Sequence, residues 1–396
     1  MAPVRFGNAG RDNNFNLIRA AAAVGVLVSH AWPITHGKGN TEPLQRLLGA
    51  SLGTICVYLF FALSGFLITA SYQCSGSGAR FVEARVARLF PGLAVSLVLV
   101  AFVLGPWVTS EPAADYLADP RTWTFLSANL TLLVPQYSLP GVFSANPYPD
   151  IEGSIWSLAY EVAWYGIILM AGMAGLLTRA SSLWLMTVVL ALWAILALDV
   201  VAVHPKLATL VNLGVPFVMG GLLWLWRDRV PVSGWIPVGL GILAALSIGT
   251  VARYPALIAF LTYGGLWLAY VPAGWLRQYN RLGDYSYGIY IYGFPMQGLV
   301  MWLLAPDSVL AHILLAAPAT ILLAVVSWHL IEHPALQWQR ERARGGAGRF
   351  SLKGPIRAGE PPGRLASYPV APGQAMIAPI RAEPVLATGR PFWSTE

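Results

Sequence analysis

The chain has 396 residues, of which 56% are hydrophobic and only 11% charged, and its mean hydropathy is +0.60. Soluble domains carry about 25% charged residues, so the composition excludes a soluble globular protein and indicates a polytopic membrane protein. The formal net charge of +7 is no nucleic-acid signal, because many of the arginines fall in short connections and in the tail, as membrane topology requires.

No small-residue cleavage site follows a short apolar core at the N-terminus, so the first helix is expected to be retained. With about 20 mostly apolar residues needed per span, we read spans at 16–35, 50–72, 86–107, 154–178, 182–203, 207–226, 232–250, 254–272, 285–304 and 308–332. The expected fold class is therefore all-α, a polytopic membrane helix bundle of about ten transmembrane helices. Such a count puts both termini on one side. If that side is the cytoplasm, the inner segments hold Arg5, Arg11, Arg80, Arg85, Arg88, Arg179, Arg227, Arg229, Arg277, Arg281 and the Arg-rich tail. The outer segments hold only Lys38, Arg46, Arg121, Lys206 and Arg253. The bias assigns both termini to the cytoplasm.

The first span contains Arg19 and, eleven residues on, His30. Eleven helical residues make almost three turns, so the two share a face about 16 Å apart. Ionisable groups inside a span are expensive and mark functional sites by default, although a snorkelling arginine and an interfacial histidine would fit the same positions. Span two carries FFALSGFL, where Ser64-Gly65 suits close helix packing. Ser64 lacks the flanking glycines of a nucleophile elbow. At the mouth of span three, FVEARVARLFP sets Arg85 and Arg88 three residues apart on one helix face. The pair suits a phosphate-bearing ligand such as coenzyme A or plain positive-inside anchoring.

The 108–153 segment is the longest outer loop. Its semi-apolar run from Trp123 to Val134 is too short to span and is expected to lie on the surface or re-enter. Span four opens with GSIWSLAYE, and Glu161 is an acid within a span that has no basic neighbour in sequence. It is either neutral helix glue or paired with another helix. Counted from the outer surface, Glu161 falls about 10 Å deep, matching His30 and permitting a His–carboxylate pair. At the start of span nine, Asp284 in GDYSYGIYIY suits an N-cap. Span ten ends in His329-Leu330-Ile331-Glu332-His333-Pro334, a formal H-x-x-E-H pattern with no third ligand in view. With only Cys56 and Cys74 in the chain, no thiolate site is suggested either, so we expect no metal. The tail from Gly345 lacks helical periodicity and is expected to be disordered. No internal repeat is visible, which weakens an inverted-repeat transporter reading.

Taken in order, NNFNLIRAAAAVGVLVSH, FFALSGFL, EARVARLFP, GSIWSLAYE, LGDYSYGIYIYGFPMQ and SWHLIEHP resemble the acyltransferase-3 family of integral membrane acyltransferases, from about Asn13 to Pro334. The resemblance implies transfer of an acyl group, acetyl by preference, from acyl-CoA to a hydroxyl of a cell-surface or lipid-linked carbohydrate at a bacterial inner membrane. Residues 1–344 would form the transmembrane acyltransferase domain and 345–396 a cytoplasmic tail. By the same resemblance, His30 looks like the essential histidine and Arg19 like its partner. Arg85 and Arg88 look like the donor-side pair, and Glu161 like the acid after the Trp-Ser-Leu motif. Ser154 and Trp156 in that motif are assigned to substrate binding. Where many members carry Asp three residues before the arginine, this chain has Asn16, which can neither neutralise Arg19 nor act as a base. The expected partners are membrane lipid and a carbohydrate acceptor, with acetyl-CoA as donor. A proton-coupled transporter or glycolipid flippase is the alternative, since buried His, Arg and Glu also serve as proton relays.

Overall fold

The computed structural model of this chain describes residues 6, 12–40 and 42–349. Among them there is no β-strand, only one isolated antiparallel bridge between Thr109 and Val142. Ten main helices follow in order. They are α1 (Phe15–His36), α2 (Leu52–Ser75), α3 (Gly78–Val108), α4 (Trp156–Met173) and α5 (Arg179–Ala197), then α6 (Pro205–Leu225), α7 (Trp235–Leu246), α8 (Arg253–Tyr270), α9 (Ser286–Leu304) and α10 (Val309–Ser327). Beyond α10 the helix continues through a π-helical turn, Trp328–Glu332, into His333–Arg349. It thus runs past the domain boundary expected at 344. The remainder of the expected tail, 350–396, lies outside the described residues.

Every one of the ten expected segments contains a helix, but a count of about ten spans is not confirmed. Among the described residues, six helices are long and apolar enough to cross a membrane, and a seventh qualifies if Arg253–Tyr270 is joined to Gly274–Arg281 across an 87° bend. Of the segments outside that set, α7 is apolar but only 12 residues long. At about 1.5 Å per residue it covers some 18 Å of a hydrocarbon core about 30 Å thick.

Short polar side chains start several helices by accepting a first-turn N–H. Ser51 accepts from Thr54 N, Ser77 from Arg80 N, Thr178 from Ser181 N and Ser308 from Ala311 N. The closest crossing is α2 against α6. A Cβ on Gly65 would stand 1.8 Å from the Phe217 carbonyl oxygen, and one on Gly220 1.9 Å from that of Ala62. Between apolar helices in lipid, association rests on such close packing rather than on water exclusion, so the packing role expected of Ser64-Gly65 is realised at Gly65.

The 108–153 segment expected to be the longest outer loop is ordered. Its helix Pro120–Thr131 buries Thr122, Phe125 and Asn129 while Trp123 stays exposed, so this run lies on the bundle and does not enter it. Beyond it the chain turns inward before α4 begins. Ile151, Glu152, Ser154 and Ile155 are all buried. This sunken approach sets the depth of everything that follows on α4.

Candidate active site

Arg19 and His30 face different surroundings at the two ends of α1. Arg19 Nη1 donates to Asp284 Oδ2 at 2.8 Å, and Arg88 Nη2 donates to the same oxygen at 2.6 Å. Arg88 Nη1 reaches Glu332 Oε2 at 3.3 Å, and Ser327 donates to Glu332 Oε1 at 3.1 Å. Two guanidinium and two carboxylate groups thus form one chain of pairs, with a formal charge of zero. Removing ions from water is costly unless partners and hydrogen bonds compensate each of them. The Tyr287 and Trp328 rings flank the Arg88 guanidinium, each with its centroid 5.7 Å away. The π-helical turn at Trp328–Glu332 turns Glu332 inward to 1% exposure.

Asp284 exceeds the N-cap role expected of it. Its Oδ1 does accept from Ser286 N at 3.3 Å and Ser286 Oγ at 2.5 Å, at the start of α9. Its Oδ2 is the hub of the arginine pairs. Asp284 therefore supplies the carboxylate that Asn16 cannot, and Asn16 is itself buried with Oδ1 lacking a partner. The H-x-x-E-H pattern is dispersed. His329 faces the Tyr285 hydroxyl at 3.3 Å, His333 packs on Trp328, and Glu332 belongs to Arg88.

Glu161 lies closer to this network than its sequence position implies. Its Oε1 accepts from Ser64 Oγ at 2.9 Å and from Tyr165 Oη at 2.5 Å. Ser64 is halfway along α2, and Glu161 shares with Arg19 a cleft of about 420 Å³ that Ser157, Ser286, Tyr287 and Tyr290 also line. The His–carboxylate pair permitted by the sequence is not among the contacts of Glu161. Both hydrogen bonds of Glu161 go to hydroxyls, and the structure does not bring it together with His30. Of the expected donor pair, Arg88 is committed to carboxylates. Arg85 donates one long bond to Ser71 Oγ at 3.4 Å, and its buried Nε has no partner.

His30 stands apart, its ring edge-on to Phe294 with centroids 5.2 Å apart. A Cβ on Gly153 would fall 2.2 Å from that same Phe294 ring, so only glycine lets the α4 approach pass there. Its neighbour Glu152 is fully buried, and neither carboxylate oxygen has a partner. Burial pushes the Glu152 carboxyl well above the ordinary 4.5. Ser154 is buried in this approach, and Trp156 packs edge-on against Tyr160 at 6.0 Å. Neither lines the cleft, whereas Ser157 does, bonded to the Tyr290 hydroxyl at 2.7 Å.

The family model for an acyltransferase domain matches residues 12–329, which hold every group described above except Glu332 and His333. The chain belongs to the acyltransferase-3 family. Two curated relatives extend over nearly their whole length. An O-acetyl transferase of Shigella phage Sf6 is 28% identical over 332 residues, covering 81% of this chain and 95% of its own. Nodulation protein 10 of Rhizobium leguminosarum bv. viciae is 29% identical over 381 residues, covering 85% and 96%. No solved structure matches the chain.

This acyltransferase therefore holds a charge-balanced network about Asp284 and, elsewhere, His30 against Phe294 and a buried Glu152 carboxyl without a hydrogen-bond partner among the described residues. The transporter alternative gains no support from these comparisons. Sequence reasoning missed Glu152 and Glu332 as members of the polar interior and undervalued Asp284 and Ser64. Glu332 was within a quoted motif, and its isolation in an apolar stretch was the available signal. Glu152 carried none, because it sits in a loop whose burial is a tertiary fact.

Proposed function

We propose that this acyltransferase moves an acetyl group from cytoplasmic acetyl-CoA to a hydroxyl of a cell-surface or lipid-linked carbohydrate. The observation that carries the reading is the family match across the polar interior, together with a relative named O-acetyl transferase. The protein is placed in a bacterial inner membrane with both termini cytoplasmic, in keeping with the distribution of arginines.

In this reading Arg85 takes a phosphate of the donor, since its Nε is the buried guanidinium nitrogen without a partner. Arg88 holds Asp284 and Glu332 in place beneath it. His30 removes the proton of the acceptor hydroxyl, whose oxygen attacks the thioester carbonyl carbon. The C–S bond breaks, the new ester C–O bond remains, and the proton passes from His30 to the coenzyme A thiolate. General base help of this kind is worth about 10²- to 10⁴-fold. Glu161, bonded to Ser64 and Tyr165 beside Arg19, fixes the polar wall of the cleft. Ser154 and Trp156 support that wall from behind rather than touching substrate.

The test is transfer of label from radiolabelled acetyl-CoA into glycan by membranes containing wild-type or His30→Ala protein. Label in extractable polysaccharide or lipid-linked sugar with wild type alone supports the reading. Wild-type activity in His30→Ala sinks the assignment of the base. Arg85→Ala is expected to raise the donor concentration needed for half-maximal rate, and an unchanged dependence counts against the donor site.

A further inference from the structure

A second cleft lies on the other side of α2, at the end of the bundle where α5 finishes and α8 begins. It has about 560 Å³ of empty space and is lined by Trp193, Ala197, Arg253, Tyr254 and the turn Gly249–Val251. None of these residues lines the candidate active site. Trp193 and Tyr254 are stacked, with ring centroids 4.7 Å apart and planes at 18°. The Tyr254 hydroxyl is fixed by donating to the Asn212 carbonyl, and its ring meets Tyr58 edge-on at 5.5 Å.

Arg253 is the unusual member. A Cβ on Gly49 would lie 2.4 Å from Arg253 Nη1, and Gly49 has φ +59°, so the guanidinium is seated on a backbone that only glycine provides. Yet among the described residues the Arg253 guanidinium has no hydrogen-bond acceptor and no carboxylate partner, although its backbone N–H donates to Thr250. Five N–H donors in a planar fork, half-buried and unpaired, fit a carboxylate or phosphate ligand. The surroundings choose between these. Leu198, Val200, Leu246, Ile248 and Val251 are exposed around this end of the bundle. Such an apolar rim about a cationic cleft suits a ligand with a charged head and hydrocarbon chains.

We propose that this cleft binds a phosphate ester carried on a lipid, with Arg253 holding the phosphate and the Trp193–Tyr254 stack bordering the group next to it. The phosphate is that of a membrane phospholipid or of a lipid-linked sugar, and the chemistry recognised is the same. The site does not depend on the transfer reaction proposed above, so either can fail without the other.

The test uses the full chain, delipidated in detergent, with binding followed by native mass spectrometry. The probes are phosphatidylglycerol, a polyprenyl phosphate and, as a phosphate-free control, diacylglycerol. Wild type is expected to bind both phosphate lipids and not the control. Arg253→Gln is expected to weaken that binding about 10- to 100-fold, the size expected for losing charge-assisted hydrogen bonds. Arg253→Lys, which keeps the charge without the fork, should fall between. Trp193→Ala gives a second variant if Arg253→Gln does not yield monodisperse protein. Preference for the polyprenyl phosphate assigns the site to lipid-linked sugars, and preference for phosphatidylglycerol to bilayer lipid. Equal binding of diacylglycerol, or affinity unchanged in both Arg253→Gln and Trp193→Ala, overturns the proposal. So does full displacement of bound lipid by inorganic phosphate, which would make this a soluble-anion site.

Discussion

The two ends of α1 solve the problem of polar groups in an apolar bundle in opposite ways. Around Arg19, two arginines and two acids cancel one another, and Asp284 uses both of its oxygens. Around His30, an imidazole rests on a phenyl ring, and among the described residues neither carboxylate oxygen of Glu152, in the nearby chain approach, has a hydrogen-bond partner. A satisfied network rigidifies and specifies the packing of α1, α3, α9 and the end of α10. Unsatisfied buried groups are rare in native proteins and call for a functional account. In the function proposed above, the first region is scaffold and the second carries the chemistry.

The sharpest way to break it is at His30. His30→Ala should lower acyl transfer by about 10²-fold or more, with membrane levels and melting temperature near wild type. A large loss of folded protein would instead make His30 part of the scaffold. Next comes Asp284→Asn, which leaves two arginines facing one remaining carboxylate. Breaking a buried pair by removing one partner costs about 3–5 kcal/mol, to be read from thermal or denaturant unfolding of the purified protein in detergent. Combining it with Glu332→Gln should cost less than the sum of the two, because the groups share Arg88. Additive losses would show that the four groups are not one unit.

A smaller effect separates the ends by pH. The folded-state value of Glu152 is raised by burial above its unfolded value near 4.5. Folding therefore favours the protonated form, and the benefit is fully present below the unfolded value and is lost as pH rises through the folded one. Wild type should lose thermal stability over that rise, and Glu152→Gln should be flatter with pH. Identical profiles would mean that the carboxyl has found a partner. The smallest effect is expected for Ser64→Ala. It removes one hydrogen bond to Glu161 while Tyr165 keeps the other, which costs about 1.5–3 kcal/mol at most. A loss of transfer as great as that from His30→Ala would move Glu161 from the wall of the cleft into the reaction.

Some of this organisation was legible residue by residue. Arg19 and His30 share a face because helical geometry fixes their spacing, and no distant residue can alter that. Gly65 reads as a close-packing position, and the structure puts the Phe217 carbonyl against it. The pairing of charges was not legible. Asp284 lies 265 residues from Arg19 and 196 from Arg88, and no local rule links them. The partners of Glu161 were not legible either, because Ser64 lies 97 residues away on another helix. The count of about ten spans is not confirmed, since an apolar stretch such as 235–246 reads as a span from composition while its helix is only 12 residues long.

The sequence by itself determined that this is a helical membrane protein of the acyltransferase-3 family, with an arginine and a histidine about three turns apart on its first helix. Composition and periodicity are local properties and survive any arrangement of the helices. Only the tertiary structure decided which acid neutralises which arginine, that Arg85 and Arg253 keep guanidinium nitrogens without acceptors, and that Glu152 is buried without a partner. Those facts depend on where separate helices meet, because a charge buried in an apolar interior is governed by the nearest opposite charge in space and not by its neighbours in the chain.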